Sequence, residues 1–338
     1  MNNRTSLSEL LSIILIGGLL AGSMLMINLV MPVSFNKEWR EVQIPEGASY
    51  TDGLMILEKS GVIDGKIALL ILSKITGSDR QMKPGYYNLS PSMSPLEIFD
   101  TLIEGRSIEF TVTIPEGSTL SDIKKKFIEL NLIDEGGWRL VYDRDFIAGL
   151  GINAPSLEGY LYPDTYRFSK GAAPETVLKS MIERLENVFD ESMQKRAAEL
   201  GMTKNEVLTI ASIVEKEALF DVERPIISAV NYNRLKKKMK LQADPTVLYG
   251  IESDGKEITH NDLRRNTPYN TYVISGLPPG PIASPGIKSI MAALYPDNVA
   301  YLFFVSKNDG THQFSRTNRE HEKAVAIYRL NKSKAEQE

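Results

Sequence analysis

VQIPEGASYTDGLMILEKSGVID, residues 42–64, returns as VTIPEGSTLSDIKKKFIELNLID at residues 112–134. Each copy opens on a short β-rich run and turns at Pro-Glu-Gly. It then reaches a hydroxyl-aspartate pair, Thr51-Asp52 or Ser121-Asp122, ahead of an amphipathic stretch. Such side chains satisfy the first free N–H groups of a helix, so the pair predicts a helix start. Two strand-turn-helix units follow from this, and with them an α+β chain. Between the copies, residues 83–105 add a turn, a short strand and a helix capped by Ser94 with Pro95 at its first position. They complete a small module over 40–107 and leave 108–155 for the second unit and a connector.

Upstream, LLSIILIGGLLAGSMLMINLVM at 10–31 runs without a formal charge. A helix needs roughly 20 such residues to cross the hydrocarbon core, so this stretch reads as a transmembrane span behind a short tail at 1–9. A cleaved signal peptide is the rival reading, with Ala21 and Ser23 small at suitable spacing, but the apolar run continues past them. Ser23 stands where a lipoprotein would need cysteine. Charge does not orient the span, because Arg4 precedes it and Lys37 and Arg40 follow it closely. One span before a large hydrophilic region places that region outside the cytoplasm, since such a span commonly serves as an uncleaved export signal.

The chain has 338 residues, enough for two or three domains, a formal charge of −4 and no cysteine. Disulfides, thiolate metal sites and cysteine nucleophiles are excluded. The basic stretch RLKKKMK at 234–240 is too brief, on an acidic chain, to make a nucleic-acid surface and reads as a solvated helix face.

From Ser156 to about residue 332 a larger region extends, expected to carry the chemistry. SLEGYLYPDTYRF at 156–168 is aromatic-rich, and 174–200 reads as a long helical stretch opened by Pro174. The helix beginning near Thr203 contains TIASIVEKEALF, 209–220. On a wheel of about 100° per residue, Val207, Ile210, Ala211, Ile213, Val214 and Ala218 form an apolar face. Glu215 and Glu217 fall about 200° apart on opposite flanks of it, so periodicity does not choose between them. Alone, Glu-Lys-Glu at a helix edge reads as a solvated flank.

Downstream come LQADPTVLYG at 241–250 and NTPYNTYVISGLPPGPIASPG at 266–286. The second is too rich in Pro and Gly for a helix or central strand and predicts a long ordered loop offering amides and hydroxyls. Residues 300–325 read as two strands around Asn308-Asp309-Gly310, then a helix, with His312 and Phe314 on the second strand. His260, His312 and His321 lack the spacing of a zinc site. Ser284 is in no Gly-x-Ser-x-Gly elbow, no glycine pattern for a phosphate or dinucleotide is present, and no cofactor is expected.

Taken in order, ASIVEKEA, LQADPTVLYG, YNTY, GLPPGPIASPG and HQFS resemble the endolytic murein transglycosylase family, also called MltG or YceG-like. The strand-turn-helix units resemble LysM-like modules that hold glycan chains. The resemblance implies a mixed helix and strand catalytic domain at 156–332, with Glu217, the second acid of the pair, as catalytic residue and Glu215 supporting it. It implies a substrate-facing set of Gln242, Asp244, Thr246, Tyr249, Asn270, Tyr272, Ser284, His312 and Phe314. The implied activity is cleavage of the MurNAc-GlcNAc bond of nascent peptidoglycan strands to 1,6-anhydro-MurNAc ends, terminating elongation, at the bacterial cell membrane and beside peptidoglycan synthases. A non-catalytic glycan tether and a hydrolytic muramidase are the alternatives.

Overall fold

A computed structural model describes residues 7–251 and 258–335. Arg4, whose charge bears on orientation, lies outside them. Helix makes up 51% of the fold and the sheets have two strands each, so cores are built by helices and the sheets serve as props. It is a mixed helix and strand fold with an apolar N-terminal helix.

The chain divides into two compact units, one running to Thr111 and including Arg167–Ala172, the other Val112–Tyr166 and the chain from Ala173 on. In the smaller unit, α1 (Leu7–Val30) is followed by β1 (Arg40–Ile44), α2 (Tyr50–Lys59), α3 (Ile67–Thr76), β2 (Gly85–Leu89) and α4 (Pro95–Glu104). β1 and β2 pair antiparallel, with Val42 opposite Tyr87 and Ile44 opposite Gly85. Alternation decides which face is apolar: Val42, Ile44, Tyr87 and Leu89 turn inward onto Leu54, Leu57, Leu69, Ile98 and Leu102. α1 is long and apolar enough to cross a membrane, and its spanning window is unburied.

The second copy of the opening repeat supplies β3 (Glu109–Thr113) and α5 (Leu120–Glu129), then α6 (Glu135–Trp138) and α7 (Arg144–Gly149). The remaining elements are β4 (Thr165–Ser169), α8 (Pro174–Val188), α9 (Glu191–Glu199), α10 (Lys204–Glu217), α11 (Arg224–Lys236), α12 (Asp244–Leu248) and α13 (His260–Arg264). α14 (Ile287–Leu294), β5 (Phe303–Ser306), β6 (His312–Ser315) and α15 (Asn318–Ala335) complete the chain. β3 pairs with β4, and β5 with β6 across the expected Asn308-Gly310 turn.

The repeat is structural as well as textual. Gly47 and Gly117 turn the chain at φ 75° and 76°, and Gly61 and Asn131 end the helices at φ 65° and 51°. Its caps differ from expectation: Ser49 and Thr119, not Thr51 and Ser121, are the N-caps. Asp52 and Asp122 sit three residues on and close a reciprocal capping box, satisfying two backbone donors where a lone cap satisfies one. The stretch 174–200 is helical as expected, but in two pieces. It breaks at Phe189, where Asp190 caps a new helix by accepting from Met193 N–H at 3.0 Å. The basic stretch is exposed at Lys236, Lys237, Lys238 and Lys240, but Arg234 is buried.

Candidate active site

α10 starts with a capping box of Thr203 and Glu206 and is buried on every side from Val207 to Val214, Thr209 and Ser212 included. It is a core helix, so the one-face wheel understates its burial. It stops at Glu217, where Ala218 is extended.

The loop expected at 266–286 has neither helix nor strand and lies along this helix. Asn205 Nδ2 donates to Pro279 O at 3.1 Å, Ile282 N donates to Ser212 Oγ at 3.0 Å, and Gly286 N donates to Glu215 Oε2 at 3.0 Å. These bonds satisfy loop groups that no secondary structure would pair. Gly159, at φ 77°, leaves room for Pro281, whose ring a Cβ at that position would strike. On the other side, residues 241–246 are stitched to the same loop. Ala243 N donates to Thr271 Oγ1 at 3.0 Å, and the Thr246 and Thr271 hydroxyls are 2.8 Å apart. Ile213, Leu241, Ala243 and Ile282 form the apolar cluster beneath.

The two glutamates at the end of α10 have different company. Glu215 is buried and fully engaged: Arg224 donates to Oε1 at 3.0 Å while Gly286 N holds Oε2. Arg224 also donates to Asp221 at 3.1 Å and to Ser289. Glu116 joins this group. Burial, then the charge of Glu215, raises its pKa. Glu217 has no hydrogen-bond or ion-pair partner among the described residues. Burial, then the charge of Asp244, pushes its carboxyl up to about 8. The carbonyl end of a helix disfavours a carboxylate in the same sense. Tyr272 donates to Asp244 at 2.6 Å, and both acids hold its own phenol well above the ordinary range after burial has done most of the lifting. Glu217, Asp244 and Tyr272 therefore form one electrostatic group: a proton-bearing acid, a carboxylate and a phenol.

The other expected residues divide by position. Gln242 is exposed, with a left-handed backbone at φ 47°, and accepts from Arg234 at 3.3 Å. Thr246 is fully buried and donates to Ala243 O at 2.6 Å. Asn270 is buried, its amide donating to the carbonyls of Asp262, Leu263 and Arg265. Ser284 is buried between backbone bonds to Gly117 and Ser118. These three hold the walls together and do not present side chains to solvent. Tyr249 packs against Tyr269, ring centroids 4.5 Å apart, and donates to Glu158 at 3.0 Å. His312 is clamped by Glu223, which takes its backbone N–H at 2.9 Å and lies 2.7 Å from Nδ1. Phe314 packs on Tyr301 and Phe304, outside the Glu217 group's stitching.

Sequence reasoning missed Glu158, Arg224, Glu223 and Arg234. Glu158 is buried, accepts from Leu120 N–H and the Tyr249 hydroxyl, and is pushed up to about 7, chiefly by burial. Its signal was a lone acid in the apolar run Ser156–Leu161. Arg234 donates to Leu241 O at 2.8 Å and Leu302 O at 2.6 Å, fixing the turn that carries Gln242. A groove of about 950 Å³ is elsewhere, at the Lys204 end of α10 between Phe189, Met202 and Pro279. That is roughly 20 Å along the axis from Glu217 at 1.5 Å per residue.

Comparison with known proteins adds to this geometry. The model of the YceG-like family matches residues 42–327. A protein of Bacillus subtilis named endolytic murein transglycosylase is 34% identical over 309 residues, covering 85% of this chain and 84% of its own length. One of the same name from Streptococcus pneumoniae is 30% identical over 334 residues, and the matched part is 88% of this chain and 60% of that protein. The crystal structure of a YceG-like protein from Listeria monocytogenes superposes with a TM-score of 0.58 at 35% identity, over 86% of this chain and 100% of that one. With a family match over most of its length and a relative this similar, the chain belongs to the YceG-like family.

Proposed function

We propose that this chain is a membrane-anchored endolytic lytic transglycosylase that cuts the MurNAc-GlcNAc bond of nascent peptidoglycan strands, with Glu217 as its catalytic residue. The observation that carries the reading is a carboxyl without a hydrogen-bond or ion-pair partner among the described residues, its pKa pushed up to about 8, at the end of a buried helix and beside Asp244 and Tyr272. Curated relatives of that name support the reaction.

Glycosidic cleavage needs a proton on the leaving oxygen and stabilisation of an oxocarbenium-like centre. Glu217 gives its proton to the oxygen between MurNAc C1 and GlcNAc. The C1–O bond breaks and its electron pair leaves with that oxygen. The glutamate then takes the proton of the MurNAc C6 hydroxyl, whose oxygen attacks C1 and closes the 1,6-anhydro ring. Glu217 ends protonated, and no water is consumed. The substrate acetamido group stabilises the intermediate, and the charge of Asp244 favours positive charge nearby while keeping Glu217 protonated. Exposed Gln242 and half-buried Tyr272 are the groups proposed to meet the glycan. Thr246, Asn270 and Ser284 support the walls, and Glu215 anchors the loop at Gly286.

The strand-helix-helix-strand order of the smaller unit supports its reading as a LysM-like glycan-holding module at 40–107, ahead of the second strand-turn-helix unit and a catalytic domain over 156–332. α1 supports a single span, and we read the larger unit as lying outside the cytoplasm, within reach of peptidoglycan synthases.

Asp244 beside Glu217 is also the second carboxylate that a muramidase would use. Digestion of purified peptidoglycan followed by mass spectrometry separates the reactions by one water per cut. Anhydro ends from the native chain and none from Glu217→Gln are expected. Reducing ends would establish hydrolysis, and full activity of Glu217→Gln would overturn the catalytic assignment.

A further inference from the structure

α3 has two apolar sides. Ala68 and Leu69 are buried in the core that α2 and α4 share, with Leu70 and Leu72 at its margin. The opposite stripe, Ile67, Ile71 and Ile75, is spaced i, i+4, i+8 and is 71%, 41% and 75% exposed. Just past α1, Phe35 and Trp39 are 84% and 59% exposed. Large apolar side chains left bare in such number mark a partner, because water-facing surfaces rarely carry them.

α1 identifies the partner. It contacts both α3 and α4. From Leu10 to Met24 its residues are exposed, whereas Leu29 is buried in the core of the smaller unit and Leu25 packs against that core. The apolar run Glu9–Val30 holds 22 residues, about 33 Å at 1.5 Å per residue, close to the ~30 Å hydrocarbon thickness. The turns that carry Leu25 and Leu29 thus belong to the span itself. A unit packed around them meets the lipid boundary with the surface that adjoins α1, and α3 adjoins α1.

We infer that α3 is an interfacial helix: the stripe Ile67, Ile71 and Ile75, with Phe35 and Trp39, is seated in the bilayer at the headgroup boundary, beside the point where α1 emerges. Lys66 flanks the stripe and lifts its amine toward lipid phosphates, Lys74 beside it is held by Asp79 at 2.5 Å, and the aromatics lie at the depth such rings prefer. The unit is then held on the membrane by two elements, a span and a surface helix. This rests on the reading of α1 as a membrane span.

The chain has no cysteine, so single reporters can be placed without background. Ile71→Cys, Leu15→Cys at mid-span and Glu58→Cys on the exposed side of α2 are labelled with an environment-sensitive fluorophore. The full chain is reconstituted in vesicles of phosphatidylcholine and phosphatidylglycerol, with and without nitroxide lipids. The expected result is lipid quenching at Leu15→Cys and Ile71→Cys, several-fold above that at Glu58→Cys and unchanged when the protein is diluted in lipid. If Leu15→Cys is quenched while Ile71→Cys matches Glu58→Cys, the span stands and the inference fails. Protection at Ile71→Cys that disappears on dilution assigns the face to a second copy of the chain and also overturns it. No quenching at Leu15→Cys overturns the span and the inference together.

Discussion

Glu215 and Glu217 stand two residues apart on one helix in regions of opposite character. Around Glu215 every acceptor is spoken for: Arg224 on one oxygen, Gly286 N–H on the other, and Glu116 close by. Among the described residues Glu217 accepts no hydrogen bond, and the charge that acts on it is the negative one on Asp244. The same functional group becomes a structural anchor where cations and N–H groups converge and a proton carrier where they are withheld.

Removing each acid in turn separates the roles most sharply. Glu217→Gln keeps the fold and loses activity, by a factor on the order of 10³ or more if the general acid carries its usual share. Measuring kcat alongside the melting temperature checks both halves. Glu215→Ala leaves Arg224 buried without its main partner and Gly286 N–H without an acceptor. A loss of about 3–5 kcal/mol in chemical denaturation is expected, with activity reduced in proportion to unfolding.

Asp244→Asn tests the pressure on Glu217 from the other side. With that charge gone, the alkaline limb of the pH-activity profile, expected near the Glu217 value of about 8, moves to lower pH. A limb that stays in place would show that burial alone sets the value.

The smallest effect is on stability. Glu158 and Glu217 have folded pKa values of about 7 and about 8, above the ordinary glutamate value of 4.5. In that window the folded chain holds protons that the unfolded chain has released, so stability falls as pH rises from about 4.5 to about 8. Glu158→Gln should flatten the part of this slope below about pH 7, and melting temperatures across that range would reveal it.

How much of this was legible in the sequence follows from how local each feature is. The duplicated strand-turn-helix was readable because capping boxes and left-handed turns depend on residues a few positions apart. Even there the cap fell on Ser49 and Thr119, because an aspartate at the third helical position serves the box better than it serves the start. The break at Phe189 was missed because an amphipathic pattern runs through it, though Asp190 is a cap in plain view. The loop at 266–286 was recognisable from its prolines. Which of its polar groups face solvent was not: Thr271 bonds to Thr246 and to Ala243 N–H across 25 and 28 residues, and Asn270 turns its amide onto backbone carbonyls, contacts that only the folded chain makes. The two carboxylates were found by composition and separated by family resemblance. Their physical difference rests on Arg224, Gly286 and Asp244, which no helical wheel includes.

The central claim is that Glu217, raised by burial and by the charge of Asp244, carries a proton under working conditions. Isotope-edited NMR of carboxyl-labelled glutamate, with Glu217→Gln to assign the resonance, reads it directly. A Glu217 midpoint near pH 8 is the predicted result, and a midpoint in the ordinary range near 4.5 would contradict the account.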